Sequence, residues 1–472
     1  MIIEAIRRFY INQAVRSRLA EYCGGNWRYP LAWTSRYLVG FGLSLKQSGF
    51  ALPVRVVSNT GIESLMDEGL DMFRSVLDAN GLLAVLDVEY FNLDGLSDLY
   101  HFPEDQLRRM EPLYKSLQSL YHHYGIRALK NITASGFHFI GFLPRGTAAW
   151  DCLSKPLYLP PSLRAKYDLV VPNDIKRLEP VPADTGYAYE RLGRILTYLC
   201  HQAVRRVTDH TPLPLTISDV APGEPNHPRD GISLDLTQYA DPVYMRPIRM
   251  PFTPHQKHLV HVHTVDSDIV NTVKPPIVIP RQEQDIAAVC AICTDMNLAA
   301  EYAAETCTSI PHSSKGWIKL FERYQTSILA GFHQTLDRDM EQLELDRELA
   351  KPLPEVDRLP PCLQGALLNP NPWLLVPTNL MTLCFHLRET GYSPAEIAAG
   401  IAGIYDTDYD WPINWRKYDP WSKALFWVRS YCGLLEDGLM AAAAFSCERH
   451  QNRGFCPDPG CGRGIGKSSI RV

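Results

Sequence analysis

The chain has no apolar run approaching the roughly 20 residues that a membrane-spanning helix needs. Its opening residues, Met1-Ile2-Ile3-Glu4-Ala5-Ile6-Arg7-Arg8, lack the long apolar core of a secretory signal. These absences predict a cytoplasmic protein with no membrane partner. There is no excess of positive charge: the formal net charge is −5 over 472 residues. That counts against a protein that coats nucleic acid over its whole surface, but not against a local basic groove on an acidic body. No internal repeat is visible. A disulfide framework is not expected either, so the 12 cysteines read as thiols or metal ligands.

What is present is an ordinary globular composition, 46% hydrophobic and 21% charged, long enough for two to three domains. The prolines of Pro352-Leu353-Pro354 and a composition shift mark a boundary near residues 350–358. The expected layout is a catalytic domain over 1–285, a helical linker over 286–357 and an all-α unit over 358–472. Within it, Glu63 to Leu77 reads as an amphipathic helix, Leu82 to Val88 as a buried strand and Pro103 to Tyr124 as a helix. Phe137 to Leu143 reads as a strand and 150–185 as irregular connections. Tyr187 to Val207 reads as a helix, Pro222 to Asp230 as a polar stretch and Ile232 to Leu236 as a strand. Gln284 to Thr306, Lys315 to about Leu349 and Pro377 to Thr390 read as helices.

Three separated motifs carry chemistry. In Leu86-Asp87-Val88-Glu89-Tyr90 the strand period puts Asp87 and Glu89 on one face. Two adjacent carboxylates repel unless a cation lies between them, and hard Mg²⁺ or Mn²⁺ prefers oxygen ligands. Asp235, alone in the apolar strand Ile232-Ser233-Leu234-Asp235-Leu236, offers a third carboxylate, since burying one without a partner is costly. A two-metal site of this kind activates an attacking hydroxyl and stabilises charge in phosphoryl transfer. In Ser135-Gly136-Phe137-His138, the glycine permits close backbone approach and His138 offers a donor to a phosphate oxygen. A basic run then follows, Arg246 to Lys257, with Arg249, His255 and Lys257 as charges and donors for a triphosphate.

The order of these motifs resembles the archaeo-eukaryotic primase superfamily, over roughly residues 55–265. The resemblance implies an α+β fold with an RRM-like primase-polymerase core and flanking helices. It implies catalytic metal ligands at Asp87, Glu89 and Asp235, and nucleotide contacts at Ser135, His138, Arg246, Arg249, His255 and Lys257.

The C-terminal third adds Leu359-Pro360-Pro361-Cys362 and the spacing Cys447-x8-Cys456-x4-Cys461. Cys384, in an apolar helix, reads as a buried hydrophobe, and Cys432 is ambiguous. This pattern resembles the C-terminal domain of the primase large subunit. The resemblance implies that Cys362, Cys447, Cys456 and Cys461 hold a [4Fe–4S] cluster; Zn²⁺ suits four thiolates equally, and His450 is a rival ligand. Arg416, Lys417, Arg429 and the tryptophans Trp411, Trp415, Trp421 and Trp427 offer charge and stacking for a single strand, or core packing. Cys290-Ala291-Ile292-Cys293, with Cys307 and His312, has the look of a zinc knuckle, but Ala288 to Ile292 reads as an apolar helix and so favours core thiols. Gly462 to Ser469 echoes a phosphate loop without its strand and helix.

The resulting expectation is a primase-polymerase that makes primers on a single-stranded DNA template from NTPs or dNTPs, working with a helicase or other replication proteins. The alternatives are a non-catalytic single-stranded nucleic-acid platform and a metal-dependent nuclease using the same carboxylates.

Overall fold

The structure, a computed structural model, describes residues 2–48, 54–92, 98–101, 103–168, 181–218, 230–241, 246–260, 273–346, 352–368, 378–406, 420–440, 445–452 and 456–466. The fold is α+β, with helix outweighing strand. The strands are β1 (Leu38–Phe41), β2 (Val54–Val57), β3 (Asp71–Ser75), β4 (Leu77–Asp78), β5 (Gly81–Asn92), β6 (Leu129–Ile132), β7 (Gly136–Pro144), β8 (Leu215–Ile217), β9 (Asp230–Asp235), β10 (Pro247–Arg249) and β11 (Ile279–Pro280).

They form two sheets. The larger runs β11-β6-β7-β5-β9-β8, with β4 paired to the start of β5; the smaller runs β10-β3-β1-β2. Pairing is antiparallel except between β8 and β9. The short corner at Val76 leads from β3 into β4 and β5, so one stretch of chain stitches the sheets together.

β5 is the spine of the larger sheet. Leu82 to Leu86 are all buried, the near-continuous apolar run expected of a strand covered on both faces. On β7 the period of two divides the side chains cleanly. Phe137 and Phe139 stack on Tyr114 of helix Pro103–Tyr124, at 4.7 and 5.4 Å, while His138 points to the opposite face.

Helix Pro103–Tyr124 has the bounds that its leucine spacing predicts, and Ala183–Val207 contains the helix expected from Tyr187. The expected helix over Glu63–Leu77 is overturned. A helix covers only Ile62–Asp67, Gly69 turns the chain at φ +66°, and β3 follows as an inner strand of the smaller sheet. The apolar positions Ile62, Leu65 and Met66 fit a helix, but a left-handed turn at glycine ends it. The irregular stretch over 150–185 holds short helices at Ala148–Leu153 and Pro161–Asp168. Two of the helices expected after residue 284 are broken: Ile286–Thr294 and Met296–Glu305 bend by 115° at Asp295, and Ser314–Gln325 is followed by Ile328–Leu345, while the one expected from Pro377 runs unbroken over Thr378–Glu389. No single helix among the described residues is long and apolar enough to cross a membrane.

The C-terminal helices pack onto the strand-bearing part through buried charge. Glu190 receives Lys166 at 3.0 Å, Arg194 at 3.1 Å, Arg429 of helix Pro420–Glu436 at 2.5 Å, and the Tyr167 hydroxyl at 2.9 Å. Burial alone would raise its carboxyl, but Arg429, Lys166 and Arg194 together hold it well below the usual range. Arg194 also reaches Asp337 at 2.6 Å, and His201 and Arg205 both reach Asp437 at 2.7 Å.

Candidate active site

Strand register brings the sequence-predicted carboxylates together. Asp87 pairs across β5–β7 with His138 and across β5–β9 with Asp235, and His138 pairs in turn with Asn131 on β6. Residues directly opposite in a sheet share a face, so Asn131, His138, Asp87 and Asp235 form one transverse row. Two residues along, Glu89 faces Gly136 on one side and Ser233 on the other. Glycine has no side chain and serine a small one, so they leave room beside the carboxylate. Gly136 has a second reason: a Cβ there would lie 1.9 Å from the Val88 carbonyl oxygen.

The row is electrostatically tense. Asp87 Oδ1 is buried without a hydrogen-bond partner, 3.4 Å from His138 Nε2. Burial, then Glu89 and Asp235, push the Asp87 carboxyl well above the usual carboxylate range, while Arg249 and Lys257 pull it back. Burial and the positive charge of Arg249 hold the His138 imidazole down at about 3, so it is neutral near pH 7. Its Nδ1 and both polar side-chain atoms of Asn131 are buried and unpartnered. A core does not keep such groups idle without cost, roughly 1–3 kcal/mol each.

Arg249 arrives from the smaller sheet. It lies over the Phe73 ring at 4.7 Å and its Nε contacts both oxygens of Asp71, at 3.2 and 3.0 Å. Asp71 is fully buried and also accepts from Thr253 Oγ1 at 3.1 Å. Burial raises its carboxyl to about 6 even with Arg249 and Thr253 lowering it. The chain then turns sharply at Phe252, a buried aromatic at φ +59°, a strained backbone for such a residue. That turn carries His255 inward and leaves Lys257 exposed at the start of a short helix. His255 is buried with Nδ1 unpartnered, and burial with Arg249 and Lys257 holds its ring well below the usual histidine range.

Two of the expected contacts have other employment. Arg246 is paired to Asp241 and donates to the Thr237 carbonyl at 3.2 Å; Lys423 of helix Pro420–Glu436 joins the same carboxylate. Arg246 thus fastens the turn after β9 to the C-terminal helices. The Ser135 backbone is engaged, its carbonyl accepting from Tyr90 N at 2.7 Å and its N–H donating to Thr133 Oγ1 at 3.2 Å, which leaves the hydroxyl as its only group for a ligand.

Residues missed from sequence are Asp71, Asn131, Ser233 and Tyr100. Tyr100 lies 4.6 Å from the His258 ring and 6.3 Å from His255, ring centre to ring centre. Burial raises its hydroxyl to about 12. Asp71 was hidden by the misread helix; the other three are placed only by register or by the chain's return after β5.

The four C-terminal cysteines also converge. Cys362, Cys447, Cys456 and Cys461 line one cavity of about 200 Å³ together with His450. Burial, then Cys456, Cys447 and Cys461, raise the Cys362 thiol to about 12. Ile465 N–H donates to Cys447 Sγ at 3.3 Å, Arg463 donates to the Leu359 carbonyl at 3.2 Å, and Gly466 N–H donates to His386 Nδ1 at 3.0 Å. As they stand, no three His, Cys, Asp or Glu side chains among the described residues are spaced to grip an ion.

The other cysteines stay out of this. Cys384 and Cys432 are fully buried; Cys290 and Cys293 are buried in helix Ile286–Thr294, while Cys307 is exposed and bonds Glu21 at 3.2 Å. Trp421, Trp427 and Arg429 are buried, so they pack and pair rather than present a strand-binding surface. Trp411, Trp415, Arg416 and Lys417 lie outside the described residues, as do 222–229 of the polar stretch. No family model matches the chain, and no curated protein is significantly similar to it.

Proposed function

We propose that this protein is a DNA-dependent primase-polymerase that synthesises primers on single-stranded DNA by nucleotidyl transfer, with an RRM-like catalytic core. The observation that carries the reading is the transverse row His138–Asp87–Asp235, with Glu89 one step along and Arg249 and Lys257 within electrostatic reach. A binder of phosphates gains nothing from three gathered carboxylates; a site that must hold divalent cations against a triphosphate needs both signs of charge. The residues fit Mg²⁺ or Mn²⁺: the oxygens are hard, and the buried, unpartnered Asp87 Oδ1 is where a cation is wanted. Bound metal would lower the pKa of the attacking 3′-hydroxyl and stabilise charge on the reacting phosphate.

The chain's own groups divide the remaining work. Asp87, Glu89 and Asp235 supply ligands. Arg249, its Nε fixed by Asp71, presents the rest of its guanidinium to phosphate oxygens, and Lys257 adds an exposed charge. Neutral His138 and His255 donate hydrogen bonds rather than charge. Ser135 keeps only its hydroxyl for the nucleotide, and Arg246 serves the site indirectly by holding the turn after Asp235.

The C-terminal unit reads as a metal-binding domain in which Cys362, Cys447, Cys456 and Cys461 hold a [4Fe–4S] cluster, with Zn²⁺ as the rival. Four thiols facing one cavity, and a backbone N–H donating to Cys447 sulfur, suit thiolates held by a metal.

The test is primer synthesis on unprimed single-stranded DNA with Mg²⁺ or Mn²⁺ and labelled NTPs or dNTPs, run beside Asp87→Ala/Glu89→Ala. Short products from the unmodified protein alone are expected. A folded Asp87→Ala protein with full synthesis sinks the proposal. Cleavage of a labelled strand with metal but no nucleotides would replace it with the nuclease reading.

A further inference from the structure

The N-terminal helices end in a surface hollow that the catalytic row does not use. Helix Gln13–Tyr22 stops in a glycine turn: Gly24 takes φ +78°, and Gly25 N–H donates to the Ala20 carbonyl at 2.9 Å. A Cβ on Gly25 would lie 2.1 Å from the Trp33 ring, so only glycine lets the loop close down on it. Trp33, buried, donates from Nε1 to the Asn26 carbonyl at 2.8 Å, and the Asn26 side chain accepts from Arg28 N–H at 3.0 Å. The loop is thus held in shape before any ligand arrives.

The hollow is about 530 Å³, within the range of small-ligand sites. Its lining is of one character: Arg16, Arg28, Trp27, Tyr29, Gln13 and Asn26 take part, and no carboxylate does. Arg16 is fixed by Nε donating to the Tyr10 carbonyl at 2.9 Å and covers the Trp27 ring at 5.0 Å; no carboxylate among the described residues pairs with it or with Arg28. Tyr29 is 66% exposed and neighbouring Leu31 89%, among the most exposed large apolar side chains described. On a chain of net charge −5, a preformed hollow with two arginines that no described carboxylate neutralises and an open aromatic face is a local exception.

We infer that this hollow binds single-stranded nucleic acid, with Tyr29 stacking on a base and Arg16 and Arg28 on flanking phosphates. The pairing of a sequence-neutral π-face with cations is what a single strand requires. The place suits a second hold on the template. Thr34, just beyond the loop, donates to Asp78 at 2.7 Å, and Asp78 pairs with Gly81 at the start of β5. Asp87 lies six residues further along that strand, on the order of 20 Å away. The inference extends the primase reading, since it gives the template a grip remote from the carboxylates.

The experiment is fluorescence anisotropy of a labelled oligo-dT strand titrated with the full chain, without added divalent metal and without nucleotides. Tyr29→Ala is expected to weaken binding about tenfold. Arg28→Gln should also reduce the slope of log affinity against log salt by about 0.7. Both side chains are exposed, so unchanged melting temperatures are expected and serve as the folding control. Unchanged affinity and salt slope in both variants overturn the inference, and a protein partner then becomes the better occupant. Because no catalysis is measured, the two readings fail separately. Primers made with unchanged binding sink this inference alone; weakened binding in Tyr29→Ala without any primer synthesis leaves it standing and sinks the primase.

Discussion

The carboxylate row and the cysteine cavity are built by opposite means. The row is set by register: once β5, β7 and β9 pair, Asp87, His138 and Asp235 have no choice of neighbour, and ordinary core packing enforces it. The cysteines come from two stretches 85 residues apart, Cys362 and Cys447 onward, on short helices and loops with half-buried thiols. The difference teaches that strand pairing alone gathers the first set of side chains, whereas the second is gathered by short helices and loops that a bound metal would have to tie together.

Four outcomes press on that contrast. The largest is Asp87→Ala, expected to cut primer synthesis by more than about 10³-fold, the loss of several kcal/mol of charge stabilisation. Circular dichroism and the melting curve should stay near those of the unmodified protein, since the sheet's hydrogen bonds remain. At the cysteine cavity, chelation or Cys447→Ser is expected to loosen the tail itself. Limited proteolysis should then cut between residues 440 and 466, while the strand-bearing part stays resistant; a tail that resists equally would remove the contrast.

Glu190→Ala probes what joins the two regions. It leaves Arg429 without its carboxylate in a dry interior and takes one partner each from Lys166 and Arg194, and a loss of about 3–5 kcal/mol of stability is expected in denaturant titration. The smallest effect concerns pH. Asp71 holds its proton up to about 6 in the fold and up to about 3.8 when unfolded. Folding therefore binds that proton more tightly, so its contribution is full below pH 3.8 and fades as pH rises through 6. The change is at most about 3 kcal/mol. Asp71→Asn should flatten that slope in melting temperatures measured between pH 4 and 6. Unchanged slope would mean that Arg249 keeps Asp71 ionised throughout.

Much of the active row was legible because its chemistry is at odds with its setting. A lone Asp in an apolar strand and an Asp-x-Glu pair at the end of another are conspicuous, and the strand period gives the shared face. Asp71 was not legible, since Ile62, Leu65 and Met66 keep helical spacing up to the turn at Gly69. For Arg246, expected at the nucleotide, and Arg429, expected at a single strand or in the core, the partners Asp241 and Glu190 are set by tertiary packing that no local pattern reports. The cysteines were legible as a set through their type, but not the hydrogen bonds that tie their loop to Leu359 and His386.

The Glu190 cluster also sets a timetable. Arg429 follows Glu190 by 239 residues. At about 5–20 residues per second, a ribosome delivers it roughly 10–50 s later. Until then the nascent strand-bearing part lacks the cover that helix Pro420–Glu436 supplies, and a chain that stalls before that helix never gains it. The strand-bearing part is thereby closed by the late arrival of a single guanidinium.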